Sequence, residues 1–166
     1  MPFAELFDRH HVELFRYAAR FTGDADLAED VVQDAFVRLA ERPPADGSNL
    51  RGWLYRVTTT IAIDAMRGAR RRAVLVRAEA ARTPLADPAP DPGTALEREE
   101  LRRRVREALQ QLGERERAIL LMREEGFTHR EIAEAVGTTT KSVGTMIARA
   151  LEKLARRLDL DAEDAR

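Results

Sequence analysis

Between Met66 and Arg82 the chain places Arg67, Arg70, Arg71, Arg72, Arg77 and Arg82 against a single acid, Glu79. A cationic run of this kind either forms a solvated helix face or holds a polyanion such as nucleic acid. Farther along, Thr140, Lys141, Ser142, Thr145 and Arg149 combine small hydroxyls with cations at helical spacing, residue types that reach base edges and phosphates in a DNA groove. Acidic residues gather elsewhere, in Glu29, Asp30 and Asp34 and in the tail Asp159, Asp161, Glu163 and Asp164. With 28 basic and 29 acidic residues the net charge is only −1, so charge segregation rather than excess carries the signal. Such a pattern suits a protein that meets both DNA and a protein partner.

Other chemistries find little support. The chain has no cysteine, which removes disulfides, thiolate metal sites and thiol nucleophiles. His10 and His11 lie near Glu13, but adjacent helical residues diverge by roughly 100° and chelate one ion poorly. A surface role is therefore expected for both. His129 is expected to be exposed as well. Glu29, Asp30 and Asp34 have no matching carboxylate or histidine helix to complete a metal cluster. There is neither a Gly-rich phosphate loop nor a nucleophile with its base. The reading is of a non-enzymatic protein with no metal and no cofactor. No apolar run has the length of a membrane span, and Met1–Glu5 lacks the pattern of a secretory signal, so a cytoplasmic protein without membrane contact is expected.

The elements that must position these residues are helices. Apolar residues make up 44% and charged residues 34%, with Ala, Leu, Arg and Glu abundant, a mixture that favours helix. Phe3, Leu6, Phe7, Leu14, Phe15, Ala18 and Phe21 recur at three- and four-residue steps before Gly23. Asp24 is placed to cap a second helix with Leu27, Val31, Ala35, Phe36 and Leu39 inside, ended by Pro43-Pro44. After the loop Ala45–Ser48, Ser48 or Asn49 caps a third, with Leu50, Trp53, Leu54, Val57, Ile61 and Met66 on its apolar face. Four prolines between Thr83 and Gly93 exclude helix and mark an extended linker. Beyond it, Thr94 is expected to cap a helix carrying Leu96, Leu101, Val105, Leu109 and Leu112. Three more helices are expected over Arg115–Glu125, Thr128–Val136 and Thr139–Leu158. The fold class is all-α: two small helical domains, 1–82 and 94–166, joined by the Pro-rich linker 83–93.

The most specific local pattern runs from Phe127 to Ile147. Thr128 and Glu131 have capping-box spacing, Ile132, Ala133 and Val136 form an inner face, and Gly137 supplies a tight turn. Thr139 can cap the next helix, whose Val143, Ile147, Leu151 and Leu154 point inward. An ordinary helical hairpin would also use a glycine turn. The capping box, the small residue at the crossing and the apolar spacing together favour a helix-turn-helix, whose second helix carries the DNA-binding candidates Thr140, Lys141, Ser142, Thr145 and Arg149.

This motif resembles region 4 of sigma-70-family RNA polymerase sigma factors, in particular the extracytoplasmic-function (ECF) group. Phe21–Phe36, with its Gly-Asp turn and Asp-x-x-Gln-Asp-x-Phe helix, is similar to region 2, as are Leu50–Val57, Ala62-Ile-Asp64 and Arg67. The resemblance spans about 3–75 and 96–158. It implies a dissociable initiation subunit that binds the largest-subunit coiled coil and the flap of core RNA polymerase, recognises −10 and −35 promoter elements and promotes melting. Asp30, Gln33 and Asp34 would then contact polymerase, with Phe36 in the core. The loop Ala45–Asn49 would capture an unstacked base, with Asn49 its DNA-binding candidate, and Arg67, Arg70, Arg71 and Arg72 would hold the backbone near the melted strand. Trp53 and Tyr55 are aromatic enough to stack on bases, but Trp53 shares the apolar face and is assigned to the core. An anti-sigma factor is a further implied partner.

Two departures from the family pattern stand out. Thr59 and Thr60 occupy the places of a frequent Arg-Asn pair; threonine can still hydrogen-bond a phosphate or base. Gly144 and Met146 stand where cations are frequent, and a mid-helix glycine costs about 1 kcal/mol of helix propensity. Gly144 can instead allow close backbone approach to DNA. Binding then leans more on Lys141, Arg149, Lys153, Arg156 and Arg157. Two other readings remain open on the residues alone: a stand-alone helix-turn-helix regulator acting as a dimer on an operator, and a helical adaptor that binds protein only.

Overall fold

The computed structural model describes residues 2–46, 48–76 and 94–164, with side chains described through 75 in the first half and through 159 in the second. The expected linker 83–93, together with Arg77, Glu79 and Arg82, lies outside the described residues. Seven helices are described: α1 (Phe3–Thr22), α2 (Ala25–Glu41), α3 (Leu50–Val76), α4 (Ala95–Gln111), α5 (Glu114–Glu124), α6 (His129–Val136) and α7 (Thr140–Asp164). The chain divides into two compact units, the first holding α1–α3 and the second the bulk of α4–α7.

In the first unit the periodic faces read from the sequence meet. Leu14, Ala18 and Phe21 of α1, Val31, Ala35 and Phe36 of α2, and Leu54, Ile61, Ala62 and Met66 of α3 are buried together. Each fully buried large side chain contributes about 1.5–3 kcal/mol. The turn between α1 and α2 is set locally: Gly23 takes a left-handed φ of 70°, its N–H reaching Ala19 O, and Asp24 accepts from the Leu27 N–H at 3.1 Å. Phe3 is not part of the core; it is 47% exposed and meets the Phe36 ring edge-on.

The aromatic assignment on α3 is corrected. Tyr55, not Trp53, is the fully buried aromatic, its ring 4.8 Å from Tyr17, while Trp53 is only half-buried. Two residues apart, these side chains leave the helix on nearly opposite sides, and docking against α1 selects Tyr55. The Tyr17 hydroxyl lies 2.7 Å from Thr59 Oγ1, which also donates to Tyr55 O at 2.7 Å. A buried polar chain thus links α1 to α3.

In the second unit Ala108, Leu109 and Leu112 pack with Ile119, Leu121, Met122, Phe127, Ile132, Val143, Ile147 and Ala150. Thr94 precedes α4 without a side-chain cap, and Leu96 and Leu101 lie exposed. The helix begins beyond the buried part of the unit, so its first turns keep their apolar residues in solvent. The α4–α5 corner is held by Arg117, which is 1% exposed and donates to the carbonyls of Leu109 (2.8 Å), Gln110 (2.9 Å) and Leu112 (3.0 Å). These carbonyls sit at the negative end of α4, where a cation is favoured. Arg104 and Leu158 O join α4 to the far part of α7, as do Lys153 and Glu116 for α5 and α7. The acidic residues after Asp159 continue α7 as far as Asp164. On the exposed surface of α4, Arg103 lies 2.6 Å from both Glu100 and Glu107, and its hydrogen bond holds the Glu100 carboxyl below the usual range.

Candidate nucleic-acid interface

The α6–α7 pair is assembled by short-range bonds that the sequence spacing already carries. Glu131 Oε2 accepts from the Thr128 N–H at 2.8 Å, and the Thr128 hydroxyl faces the Glu131 N–H at 3.3 Å, completing the capping box. Gly137 ends α6 with φ 68°, and the Thr138 N–H returns to Ala133 O at 3.0 Å, a closure that needs a residue without Cβ strain. Thr139 then opens α7: its Oγ1 faces the Ser142 N–H at 3.3 Å and the Ser142 hydroxyl at 2.8 Å.

Ile132 and Ala133 of α6 and Val143, Ile147 and Ala150 of α7 are buried. That leaves Thr140, Lys141, Thr145 and Arg149 exposed on one side of α7, with Ser142 partly exposed beside them. The five residues are brought onto a continuous outward surface at the start of the second helix, where a helix-turn-helix reads a major groove. The inward assignment of Leu151 is corrected: it is 43% exposed, and Ala150 occupies the core in its place. His129 begins α6 and is exposed, as expected.

In the first unit Asp30, Gln33 and Asp34 are exposed on α2, one helical turn apart, while Phe36 is 3% exposed. Gln33 Nε2 donates to Glu29 Oε1 at 3.3 Å, and Val37, 53% exposed, extends the same surface with an apolar contact. An exposed acidic stripe with an apolar residue suits a basic helical partner, since charge fixes register and the apolar contact adds burial.

Asn49 is exposed and serves as the α3 cap, its Oδ1 accepting from the Gly52 N–H at 2.9 Å. The start of α3 is anchored to α1 by Glu13, which meets Arg51 Nε at 3.2 Å and His10 Nδ1 at 2.6 Å. The Arg51 guanidinium also lies 5.0 Å over the Tyr55 ring. His10 and His11 are half-buried rather than purely surface residues; the His11 ring lies tilted 4.6 Å from Phe7, and its Nε2 is 3.5 Å from Glu29. Arg67, Arg70, Arg71 and Arg72 are exposed on the last turns of α3. The nucleic-acid role considered for Thr59 is corrected, while Thr60 is exposed. Thr59 is buried in the Tyr17 chain, and the Thr60 hydroxyl donates back to Arg56 O at 3.0 Å. Among the described residues no three His, Asp or Glu side chains gather as a metal site, and no described helix is long and apolar enough to cross a membrane.

A helix-turn-helix unit with an open polar face, paired with a three-helix unit bearing segregated acid and arginine, defines a two-part DNA-binding protein of the transcription machinery. Residues 6–72 match sigma-70 region 2 and residues 102–154 match sigma-70 region 4. The chain is 33% identical over 153 residues to the ECF RNA polymerase sigma factor SigL of Mycobacterium tuberculosis, covering 90% of this chain and 84% of that one. Its fold is similar to CnrH in complex with the cytosolic domain of CnrY, with TM-score 0.69, 28% identity and coverage of 96% and 88%. It is likewise similar to the sigma factor RpoE in complex with the anti-sigma factor NepR from Bartonella quintana, with TM-score 0.76, 22% identity and coverage of 96% and 98%. The chain belongs to the ECF group of RNA polymerase sigma factors, the subunits that direct transcription initiation.

Proposed function

We propose that the two units read one promoter in two places while held on core polymerase: α7 enters the major groove of the −35 element, and α1–α3 bind the −10 element. The observation that carries this reading is the single outward surface formed by Thr140, Lys141, Ser142, Thr145 and Arg149 on a helix whose opposite side is buried. Lysine and arginine there supply phosphate and guanine contacts, and the hydroxyls supply short hydrogen bonds. In the first unit, the exposed Arg67, Arg70, Arg71 and Arg72 offer positive charge to a displaced strand, and the Asn49 loop takes an unstacked base. Asp30, Gln33 and Asp34 dock on the coiled coil of the largest subunit. The second unit, from 94 onward, meets the flap.

Melting in this scheme is driven by binding, without catalysis by the chain and without a cofactor. Strand opening is favoured because unpaired bases and their backbone gain contacts that the duplex cannot make. The domain limits 1–82 and 94–166 accompany this division of labour, as does a cytoplasmic location. An anti-sigma protein that covers these same surfaces is a further proposed partner, supported by the similarity to CnrH held by CnrY. The deciding experiment mixes the chain with sigma-free core polymerase and a promoter library. Specific open complexes and RNA support the proposal. Operator binding without core would replace it with a stand-alone regulator, and core binding without opening would replace it with an adaptor.

A further inference from the structure

Gly144 has no task in the fold. Its backbone is not among those with positive φ, so the turn geometry that calls for glycine elsewhere is absent here. A Cβ built on it would meet only His129 Cε1, at 3.7 Å, an ordinary contact that alanine would make without displacement. Glycine inside a helix weakens it relative to alanine. The residue therefore lowers the stability of α7 with no return in packing.

Its position is informative. Gly144 follows Thr140 and Lys141 by four and three residues and precedes Ala148 by four, so it lies partly exposed on the flank of α7 that carries them. The buried side is formed by Val143, Ile147 and Ala150. Beside the exposed Lys141 and Ala148, Gly144 adds no side chain, and the exposed His129 imidazole borders it on the α6 side. A side-chain-clad helix is about 10–12 Å across, close to the roughly 12 Å width of the major groove. One missing side chain on this flank lets that side of the helix move nearer to the base edges.

We propose that Gly144 is a specificity-determining residue of the upstream DNA contact: a notch in α7, walled by His129, that accepts the edge of a base pair in double-stranded DNA. This rests on the reading of α7 as the −35 helix. The notch shortens the reach required of Lys141, Thr145 and Arg149, whose neighbours at 144 and 146 bring no cation.

The test compares full-length wild type, Gly144→Ala and Gly144→Ser on core polymerase, with Lys141→Ala and Arg149→Ala alongside. Amide hydrogen exchange in α7 of the free chain is expected to slow about fourfold in Gly144→Ala, as the helix gains propensity. Transcription from promoters that need the upstream element is expected to fall about tenfold, with core binding and upstream-independent promoters unchanged. A stabilised α7 with undiminished upstream use would overturn the notch, and so would faster exchange, which would show that the glycine serves packing. If Lys141→Ala and Arg149→Ala leave upstream dependence untouched, the −35 reading itself fails, a different result from failure at Gly144 alone.

Discussion

At the residue scale, the buried polar groups of this protein hold corners and crossings rather than chemistry. Arg117 donates to three carbonyls at the end of α4. Removing it leaves those acceptors buried without their donor, at about 3 kcal/mol or more, since hydrogen bonds to charged groups are worth about 1.5–3 kcal/mol. Arg117→Ala should lower the unfolding free energy of the second unit in urea by that amount, with a lower midpoint, whereas loss of a surface arginine would leave it within about 0.5 kcal/mol. An unchanged midpoint would contradict the assigned role. Thr59→Val should likewise destabilise the first unit by about 1–2 kcal/mol, because the buried hydrogen bond between the Tyr17 and Thr59 hydroxyls is lost. If Thr59 served DNA instead, chemical denaturation would be unaffected and promoter opening would drop. None of these partnerships was legible in the sequence. Arg117 sits among charged residues that look solvated, and Tyr17 and Thr59 are 42 positions apart.

At the element scale, legibility follows the range of the interaction. The Asp24 cap, the Thr128–Glu131 box and the turn at Gly137 span a few residues each, and the structure contains them all. What failed was the choice of side: Trp53 against Tyr55, and Leu151 against Ala150. Helical period alone defines a broad stripe, and only the neighbouring helix decides which edge of it is covered. The acidic stripe of α2 illustrates the same separation from the functional side. Asp30, Gln33 and Asp34 point away from the buried Val31, Val32 and Ala35. Asp30→Ala combined with Gln33→Ala should therefore weaken core binding at least about tenfold, as truncating central interface contacts does, while the thermal midpoint stays within a few degrees. Unchanged affinity in a core-polymerase titration would remove the docking assignment. Val37→Ala should weaken binding in the same assay.

At the scale of the whole molecule, a net charge of −1 does not oppose DNA binding, because neither unit has to bind alone. When two modest contacts are joined and held on one polymerase, the second forms at a raised effective concentration, and the loss of one is partly masked by the other. This determines how the upstream contact should respond to mutation. Lys141→Ala or Arg149→Ala removes the proposed phosphate or base contact from an exposed side chain, so the second unit should remain folded. On a promoter with a weak −10 element the two contacts are both needed, and transcription should fall about tenfold for each substitution. On a promoter with a strong −10 element the same variants should lose far less, since binding through the first unit suffices. Raising salt should narrow the gap between wild type and variant on the weak promoter, because each lost phosphate contact lowers the salt slope by about one and wild-type binding falls faster. In vitro transcription across this pair of promoters measures the coupling directly. Equal losses on both would mean that the helix-turn-helix acts through polymerase rather than through DNA.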